Sequence, residues 1–573
     1  MVEKQLLVGD SSFRSLRKRN AYYVDKTAFI ESILNDGNSV SLITRPRRFG
    51  KTLLQTTLEC FFAINYRRPE DLSEVRILFS GLAVTRNEAF CRTHMGQWPV
   101  ILISFKDFNG NSFEDSIQSL ARILYSAAKD FAFLTENPAL NEFDRNDFLK
   151  VLHVKGLPFH EQKTVLAEGL KILMQVLRSV YAKEVIVLVD EYDVPLNHAR
   201  TAGYYNDLFP LLKEMLSGAL KDNANLFKGV VTGCLRIAKE SVFTDLNNFG
   251  SHSVSDTDLA AAVGFTRDEA AVILSDFNLT PWADPVRQHY DGYRFGHEEI
   301  YCPWDLLSFC RDFAKKRPVL FNNYWINTSS NELITEFIRY ADETHLKLLR
   351  TLMSGSTISA RVTEDLSFAE INAAHSPQHL LSLLYCTGYL TCVGTTDDGL
   401  MTLQIPNQEV RKCYERQIAT YFSKDGSDYV QTGKELAARL IAGQSGAANT
   451  FLQNFLARYV SVRDTGSEAF YHGLLLGLLG ASDRLSLESN QESGDGYFDL
   501  RFVDAHDNVA VILELKKTDH PADLSEVAHR ALSQIHERRY FADYTGAGFR
   551  SVWLYGIAFS GKHCRMAAEK LSI

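Results

Sequence analysis

Gly50-Lys51-Thr52 has the residue types and the order needed to hold the phosphates of a nucleotide. The apolar run Val40 to Thr44 precedes it and a helical pattern follows, so we predict a buried strand, a loop and a helix. Backbone N–H groups at the helix start would bind phosphate, Lys51 would reach the β and γ oxygens, and Thr52 would coordinate Mg²⁺. These residues therefore predict a site for ATP with Mg²⁺.

The rest of the loop departs from the usual pattern G-x-x-x-x-G-K-[ST]. Arg45 stands at the position of the first glycine, and Arg48 and Phe49 precede Gly50. Gly50 would let the backbone approach the phosphates closely. We assign all four residues to the nucleotide site.

An apolar run that ends in two carboxylates, Val185 to Glu191, complements the loop. Asp190 would hold Mg²⁺ directly or through water, and Glu191 would polarise the attacking water. The alternative is that Lys51 is a surface lysine and that the two carboxylates form a solvated strand end. The combination of both motifs at this separation favours the nucleotide site.

Arg236 follows a further predicted strand, Lys228 to Thr232. A polar group at the end of that strand could sense the γ-phosphate, and Arg236 could act as a catalytic residue that stabilises transition-state charge. A salt-bridging arginine at the surface is an equally good interpretation.

Asp499, Glu514 and Lys516 have the types needed for metal-dependent hydrolysis of phosphodiester bonds. Such sites gather carboxylates around Mg²⁺, which activates a water molecule. Asp499 and Glu514 would bind the metal, and Lys516 would orient the water or the phosphate. The spacing, D-x(14)-E-x-K, is that of a PD-(D/E)xK nuclease core.

Strand periodicity predicts how a hairpin presents these residues. Phe498, Leu500 and Phe502 alternate with Asp499, so we expect those three on one buried face and Asp499 on the other. The glutamate and the lysine lie two residues apart and share a face of the second strand. The alternative is a cross-strand salt bridge on an exposed sheet.

Two further residues are candidates for the same catalytic centre. Glu468, just ahead of a predicted helix, could add a carboxylate, and Gln534 on a later helix could reach the site. Arg530 and Arg538 lie four residues on either side of Gln534 and could contact phosphate.

The alternation of short apolar runs with amphipathic segments predicts an α/β multidomain protein. We expect a P-loop domain with a parallel sheet in residues 1–255, a mostly helical lid or linker in 256–450, and a small α/β domain of the PD-(D/E)xK restriction-endonuclease-like type in 451–573. Thr266 followed by Glu269 predicts a capping box in the middle region. The predicted strands are Val40 to Thr44, Val100 to Phe105, Val185 to Asp190, Gly229 to Thr232, Leu485 to Glu488, Tyr497 to Val503, Val509 to Leu515 and Ser551 to Ala558, and the predicted helices include Ser112 to Phe133, Ala469 to Gly480 and Leu524 to Tyr540.

Composition restricts the class of protein further. The chain has 573 residues, 45% of them apolar and 23% charged, which is ordinary for folded protein and too long for a single core. A formal charge of -9 argues against a uniformly basic coat for nucleic acid but allows a local basic cleft. No apolar run reaches the roughly 18 residues needed to cross a bilayer, and the nine cysteines include no CxxC pair. We expect a soluble, cytoplasmic protein without membrane partners.

Together the motifs resemble the AAA-ATPase-like proteins of bacteria and archaea that carry a C-terminal PD-(D/E)xK nuclease-superfamily domain. The segments that carry the resemblance are Tyr23 to Thr27, Arg45 to Thr52, Val189 to Asp193, Thr232 to Ser241, Tyr290 to Tyr293, Leu384 to Leu390, Glu492 to Gly494 with Asp499, and Glu514 to Lys516. Arg45 resembles the family's own version of the loop, whereas Phe498 stands where such proteins often have arginine. Lys517 repeats the lysine, and strand alternation favours Lys516 as the catalytic one. The resemblance implies ATP and Mg²⁺ as cofactors.

The two sites and the resemblance predict an ATPase and metal-dependent nuclease that cleaves nucleic acid under the control of ATP. DNA is favoured over RNA as the substrate, and assembly into a homo-oligomer is compatible with such a protein. The alternative is a signalling or scaffold ATPase whose nuclease-like domain only binds nucleic acid or protein.

Overall fold

The structure, a computed structural model, describes residues 4–237, 249–314, 321–325, 348–349, 351–353, 355–366, 377–422, 426–459, 468–480, 485–493, 496–504, 507–544 and 549–571. Two segments that carry the family resemblance extend beyond these ranges, at residues 238–241 and at Gly494. Tertiary contacts divide the chain into two units, Met1–Ser329 with Thr357–Gln408, and Ser330–Ser356 with Glu409–Ile573. The three-part division at residues 255 and 450 stays a prediction, because these contacts group the middle region differently.

The first unit is built on a parallel five-stranded sheet in the order β2-β3-β4-β1-β6. The strands of this unit are β1 (Val40–Thr44), β2 (Val100–Ser104), β3 (Val185–Asp190), β4 (Leu226–Gly233), β5 (Arg236–Ile237), β6 (Phe249–His252), β7 (Phe265–Thr266), β8 (Tyr293–Phe295), β9 (Glu298–Tyr301), β10 (Ile358–Ala360), β11 (Asp365–Leu366), β12 (Thr391–Thr395) and β13 (Met401–Gln404). Its helices are α1 (Phe13–Lys18), α2 (Phe29–Asn35), α3 (Lys51–Phe62), α4 (Ser73–Phe79), α5 (Glu88–His94), α6 (Phe113–Ala128), α7 (Glu142–Leu152), α8 (Phe159–Tyr181), α9 (Val194–Ala202), α10 (Tyr205–Leu220), α11 (Arg267–Asp276), α12 (Ala283–Tyr290), α13 (Pro303–Ala314) and α14 (Pro377–Cys386).

Parallel pairing brings the carboxyl ends of the central strands to one edge of this sheet. β1 and β3 are buried along their whole length, which explains why their sequences are continuous apolar runs. Thr44 at the end of β1 pairs with Gly233, and Asp190 at the end of β3 pairs with Ser104. The predicted P-loop sheet is confirmed, and its loops converge where parallel sheets usually bind ligands.

The middle region consists of helices with short sheets between them. Thr266 and Glu269 form the predicted capping box at the start of α11, with each side chain bonded to the other's backbone N–H. The short sheets, β7-β9-β8 and β10-β13-β12, were not predicted from the sequence. Their strands are two to five residues long, too short for a clear alternation.

The second unit contains a five-stranded sheet in the order β14-β15-β16-β17-β18, parallel only between β16 and β17. Its strands are β14 (Leu485–Ser493), β15 (Gly496–Asp504), β16 (Val509–Lys517), β17 (Ser551–Ser560) and β18 (His563–Leu571), and its helices are α15 (Gln408–Phe422), α16 (Gly426–Ile441), α17 (Ser445–Tyr459), α18 (Glu468–Gly480) and α19 (Leu524–Glu537). Apolar side chains of α16, α17 and α18 pack against one face of the sheet, and α19 packs against the other. This small mixed α/β domain is the one predicted, with β18 as an added strand. Among the helices in the described ranges, none combines the length and apolar character needed to cross a membrane.

Candidate active sites

Gly50 lets the phosphate loop turn into α3. Its φ is 98°, a left-handed conformation that glycine adopts easily and other residues rarely adopt. Helix α3 begins at the next residue, Lys51. The first backbone N–H groups of a helix have no intrahelical partner, so they are available for a phosphate at this point.

Lys51 is held by the loop itself. Its side chain is buried, and Nζ donates to the carbonyl oxygens of Arg45 at 2.8 Å and Pro46 at 2.9 Å. The sulfur of Cys234 lies 3.5 Å from the same nitrogen. A buried ammonium group with carbonyl partners is not the surface lysine of the alternative interpretation.

Asp190 collects hydroxyl groups from three elements at the carboxyl edge of the sheet. It is fully buried, and its Oδ2 accepts from Thr52 at 2.9 Å and from Ser104 at 3.3 Å. Thr232 donates to Oδ1 at 2.8 Å. A carboxylate beside a threonine hydroxyl offers the hard oxygen ligands that Mg²⁺ prefers. The sequence indicated a polar group at the end of the strand that contains Thr232 but did not assign Ser104, although the polar end of β2 was an available signal.

Two acidic residues follow Asp190 at the same edge. Glu191 has a φ of 54°, a conformation that is strained for a residue other than glycine. Burial raises the pKa of its carboxyl, and the charge of Lys51 acts against that rise. Asp193 is buried and accepts the backbone N–H groups of Cys234 and Leu235, each at 3.1 Å. It therefore ties the loop after β3 to the end of β4, a role that the sequence did not reveal.

A cavity of about 620 Å³ opens beside the loop within the first unit. Gly50, Lys51, Thr52 and Glu191 line it together with aromatic side chains that include Tyr22. The volume lies in the range of about 300 to 1,000 Å³ that is usual for pockets of small ligands and cofactors. Polar groups that can bind phosphate and aromatic side chains that can receive a base match the two halves of a nucleotide.

The Arg45 side chain contacts the main chain of a neighbouring segment, and its predicted role at the nucleotide site stays a prediction. Its guanidinium group is fully buried and donates to the carbonyl oxygens of His252 at 2.8 Å and Ser253 at 2.6 Å. It also lies 5.0 Å from the centre of the Phe295 ring. These contacts fix the Arg45 guanidinium between the loop and the segment of His252 and Ser253, so the side chain supports the loop backbone.

Phe49 supports the loop in a similar way. Its ring is fully buried and meets the ring of Tyr293 edge to face, with centroids 5.0 Å apart. Its carbonyl oxygen accepts the backbone N–H of Gly264 at 2.8 Å. The residue borders the cavity, but its side chain packs into the core.

The loop residues between Arg45 and Phe49 are also held from the middle region. Trp325 Nε1 donates to the carbonyl oxygen of Arg47 at 3.1 Å. Arg48, with a φ of 71°, places its guanidinium 4.3 Å from the centre of the Trp304 ring. These partners lie more than 200 residues away in sequence, so no local pattern could have predicted them. They hold the loop in shape before a nucleotide arrives.

Arg236 forms an ion pair with Asp365 at 2.7 Å, between the paired strands β5 and β11. Its side chain is about one third exposed. This contact is the alternative that the sequence left open, and a role of Arg236 in transition-state stabilisation stays a prediction.

In the second unit, Asp499 lies where β15 and β16 separate. Pairing between these strands begins at Leu500 with Leu513, one residue after Asp499. Beyond that pair Asp499 Oδ2 accepts the backbone N–H of Leu515 at 2.7 Å. The side chain thus replaces a strand-to-strand hydrogen bond at the opening of the hairpin.

The prediction that Phe498, Leu500 and Phe502 share one face is wrong. Leu500 and Phe502 pack with the helices α16 to α18, whereas Phe498 packs with Ile512 and Tyr540 on the face of α19. All three are buried because helices cover both faces of the sheet. Pairing of β15 with β16 ends at Leu500, and the regular alternation of faces does not continue to Phe498.

Glu514 is a buried carboxyl group on β16. It is 1% exposed, its Oε1 accepts from Lys516 Nζ at 2.9 Å, and within the described residues its Oε2 has no hydrogen-bond partner. Burial, followed by the charge of Asp499, raises the pKa of Glu514 to about 7. The alternative interpretation was an exposed salt bridge between two strands. It does not fit, because Glu514 is buried and its lysine partner lies on the same strand.

Lys516 is surrounded by acidic groups. Burial alone would lower its pKa, but Glu514, Asp499 and Glu468 together raise it. The structure therefore brings these four predicted residues into one neighbourhood. Glu468 lies at the start of α18 and accepts the backbone N–H of Lys517 at 3.1 Å.

The predicted residues on α19 take other partners. Gln534 donates to the hydroxyl of Tyr540 at 3.3 Å, and Arg530 pairs with Glu526 at 3.2 Å on the surface. The roles of Gln534 and Arg530 at the site thus stay predictions. Helix α19 ends at Glu537, before the predicted end at Tyr540.

The acidic centre suits Mg²⁺ better than a metal that needs a closed protein cage. In the part of the chain that the structure describes, no group of three or more His, Cys, Asp or Glu side chains could enclose a metal ion. Mg²⁺ usually keeps several waters and binds one or two carboxylates together with substrate phosphate. Asp499 and Glu514, whose Oε2 has no partner within the described ranges, provide that ligand set, so the residues fit the ion.

Comparison with known proteins assigns both regions to families. Residues 7–243 match the family described as predicted AAA-ATPase, and residues 466–569 match the PD-(D/E)XK nuclease superfamily. The first match contains the phosphate loop and the Asp190 edge, and the second contains Asp499, Glu514 and Lys516. The chain thus combines an AAA-ATPase-like domain with a C-terminal domain of the PD-(D/E)XK nuclease superfamily, as the sequence motifs predicted.

A relative from Azotobacter chroococcum mcd 1 resembles the whole chain. It is described as an uncharacterized protein in the vnfD 5′ region and is 24% identical over 574 residues, which cover 98% of this chain and 97% of the relative. The similarity therefore extends through both family matches.

Proposed function

We propose that this protein hydrolyses ATP at the Lys51 site and cleaves nucleic acid at the Glu514 site, with ATP controlling the cleavage. One observation carries the nuclease half of the proposal. Glu514 is buried beside a second carboxylate and a lysine, and its Oε2 has no hydrogen-bond partner among the described residues, an arrangement that costs folding energy unless a metal cation compensates it. The two family matches support the same pair of activities.

At the nucleotide site, the residues of the chain divide the work of phosphoryl transfer. Lys51 would exchange its two carbonyl partners for oxygens of the β- and γ-phosphates, and the N–H groups at the start of α3 would bind the same phosphates. Thr52 and Asp190 would hold Mg²⁺, which when bound offsets charge on the phosphate oxygens. Glu191, next to Asp190 and Lys51, would orient the attacking water.

At the nuclease site, Asp499 and Glu514 would hold Mg²⁺, which when bound supplies a Lewis acid and a water of lowered pKa. Lys516 now donates to Glu514. Once a cation compensates Glu514, the ammonium group of Lys516 can turn to the scissile phosphate or the attacking water and reduce the developing charge. The negative charge of Glu468 raises the pKa of Lys516 and so helps to keep its ammonium group protonated.

The proposal is tested by a cleavage assay on single- and double-stranded DNA and RNA, with Mg²⁺, Mn²⁺ or chelator and with or without ATP. Lys516→Ala removes the ammonium group from the site. Lys517→Ala is the matched control, because the neighbouring Lys517 pairs with the exposed Asp519 at 2.6 Å. We expect metal-dependent cleavage that Lys516→Ala lowers by about a hundredfold or more, as for loss of a transition-state donor, and that the control leaves within about threefold.

Equal inactivity of the wild-type and Lys516→Ala proteins on every substrate would contradict the nuclease half. If the inactive wild-type protein still bound nucleic acid in a binding assay, the result would favour a nuclease-like domain that binds nucleic acid without cleaving it. Measurement of ATP turnover in the same samples reports on the nucleotide site independently.

A further inference from the structure

Helix α18 contacts both strands that carry the acidic centre. Glu468 in its first turn accepts the backbone N–H of Lys517 on β16. His472, four residues later and therefore on the same helical face, contacts the backbone of Asp499 on β15. One helix thus holds the two strands on either side of the point where their pairing ends.

The hydrogen bond from His472 has a defined direction. His472 Nε2 lies 3.0 Å from the carbonyl oxygen of Asp499. A carbonyl oxygen can only accept, so Nε2 carries the proton and donates. The imidazole therefore acts here as a fixed donor to the main chain, and this nitrogen cannot serve as a base toward substrate.

The hydrogen bond from His472 lies at the point where β15 separates from β16. Asp499 precedes the first paired residue of β15 with β16, so on that side regular pairing does not hold it, while on the other side β14 pairs with its neighbours Phe498 and Leu500. On the β16 side, the N–H of Leu515 fixes its carboxylate and His472 fixes its carbonyl. A shift of the Asp499 backbone would move its carboxylate relative to Glu514 and change the geometry that a cation requires.

We propose that His472 is a positioning residue of the nuclease centre, which fixes the backbone of Asp499 so that Asp499 and Glu514 present their oxygens to one divalent cation. This inference rests on the proposed nuclease function. It assigns His472 to the support of the metal site, where loss of a partner typically weakens metal affinity by about 10- to 100-fold.

Two substitutions of His472 distinguish a role in positioning the Asp499 backbone from a general contribution to the stability of the fold. His472→Gln keeps an amide N–H near the place of Nε2, whereas His472→Leu keeps bulk and removes the donor. His529→Gln is the matched control, because His529 lies on the exposed side of α19 and contacts the carbonyl of Ser525 in its own helix. Thermal unfolding of each full-length variant shows whether its fold is retained.

The test is direct titration of the full-length proteins with Mn²⁺, followed by electron paramagnetic resonance, without nucleic acid or nucleotide. We expect His472→Leu to raise the Mn²⁺ dissociation constant by about 10- to 100-fold, and His472→Gln and His529→Gln to stay within about threefold of wild type. In cleavage assays the His472→Leu rate should recover as Mn²⁺ approaches saturation.

Unchanged Mn²⁺ affinity in His472→Leu would overturn the proposal, and so would equal weakening in the Gln and Leu variants. Failure of the nuclease function is a separate result. In that case the wild-type protein would bind Mn²⁺ in the titration but would leave nucleic acid intact at saturating metal, and the comparison of His472 variants would still decide the positioning role.

Discussion

The carboxylate of Asp499 accepts the backbone N–H of Leu515 at 2.7 Å, just beyond the last paired residues of β15 and β16. Because Leu515 follows Glu514, this bond places the two carboxyl groups at the same opening of the hairpin. Their proximity is, after burial, the next cause of the raised pKa of Glu514. The acidic centre is therefore built by a side chain that takes the place of a main-chain hydrogen bond.

Divalent metal binding should depend on pH through Glu514. A carboxyl group must lose its proton to bind a cation, and the pKa of Glu514 is about 7. The apparent Mn²⁺ affinity should rise about tenfold per pH unit below that value and level off above it. Titration calorimetry across this range measures the slope, and a flat profile would exclude Glu514 as a ligand.

Glu514→Gln should stabilise the metal-free protein at alkaline pH. Between the ordinary pKa of 4.5 and the folded value of about 7, the folded state binds more protons than the unfolded state. The stability of the wild-type protein therefore falls as pH rises through this window. The variant has no carboxyl group to ionise at this position. Above the window its free energy of unfolding should therefore exceed that of the wild type by on the order of 1 to 3 kcal/mol, and below the window this difference should be absent.

Chemical unfolding of the second unit at pH values on both sides of the window measures this difference. Glu526→Gln is the control, because Glu526 is exposed and forms a surface ion pair with Arg530. A gain of equal size at both pH values would mean that the ionisation of Glu514 is not its cause.

Lys51→Ala should weaken ATP binding without unfolding the loop. The lysine contributes charge-assisted hydrogen bonds to phosphate, so we expect a loss of about 10- to 100-fold in affinity, or about 1.4 to 3 kcal/mol. Fluorescence titration with a labelled ATP analogue measures the change. Lys150→Ala is the control, since Lys150 lies on the surface and pairs with Asp147. Unaltered affinity in Lys51→Ala would place the nucleotide elsewhere.

Arg45→Gly would restore the glycine of the usual loop pattern, yet we expect it to destabilise the protein. The substitution removes the donor for the carbonyl oxygens of His252 and Ser253, which are buried residues. Buried acceptors that lose their partner cost about 1 to 3 kcal/mol each. The midpoint of thermal unfolding should therefore fall, whereas Arg47→Ala, at an exposed position of the same loop, should change it little. A variant as stable as wild type would contradict the supporting role of Arg45.

The residues that could be predicted from sequence are those whose neighbours are set by local order. Gly50, Lys51 and Thr52 follow a buried parallel strand directly, and Asp190 ends another, so the carboxyl edge of one sheet had to bring them together. Asp499 and Glu514 lie on two strands that are adjacent in sequence and joined by a short turn, so local order predicted their hairpin.

The residues that could not be predicted depend on distant partners. The acceptors of the Arg45 guanidinium lie at 252 and 253, and the donor to the Asp499 carbonyl is His472 on a separate helix. The predicted face of Phe498 was wrong because pairing of β15 with β16 ends at Leu500 and the regular alternation stops there, and helices bury apolar residues on either face. Sequence periodicity indicates burial but does not show which element provides it.

Control of the nuclease by ATP is the central claim, and single-turnover cleavage tests it most directly. The rate of cleavage at saturating Mg²⁺ would be measured with and without ATP for the wild-type protein, for Lys51→Ala and for the control Lys150→Ala. We predict that ATP changes the wild-type and control rates by about tenfold or more, corresponding to a coupling free energy of about 1.4 kcal/mol, and leaves the Lys51→Ala rate unchanged. Wild-type cleavage at the same rate with and without ATP would contradict nucleotide control.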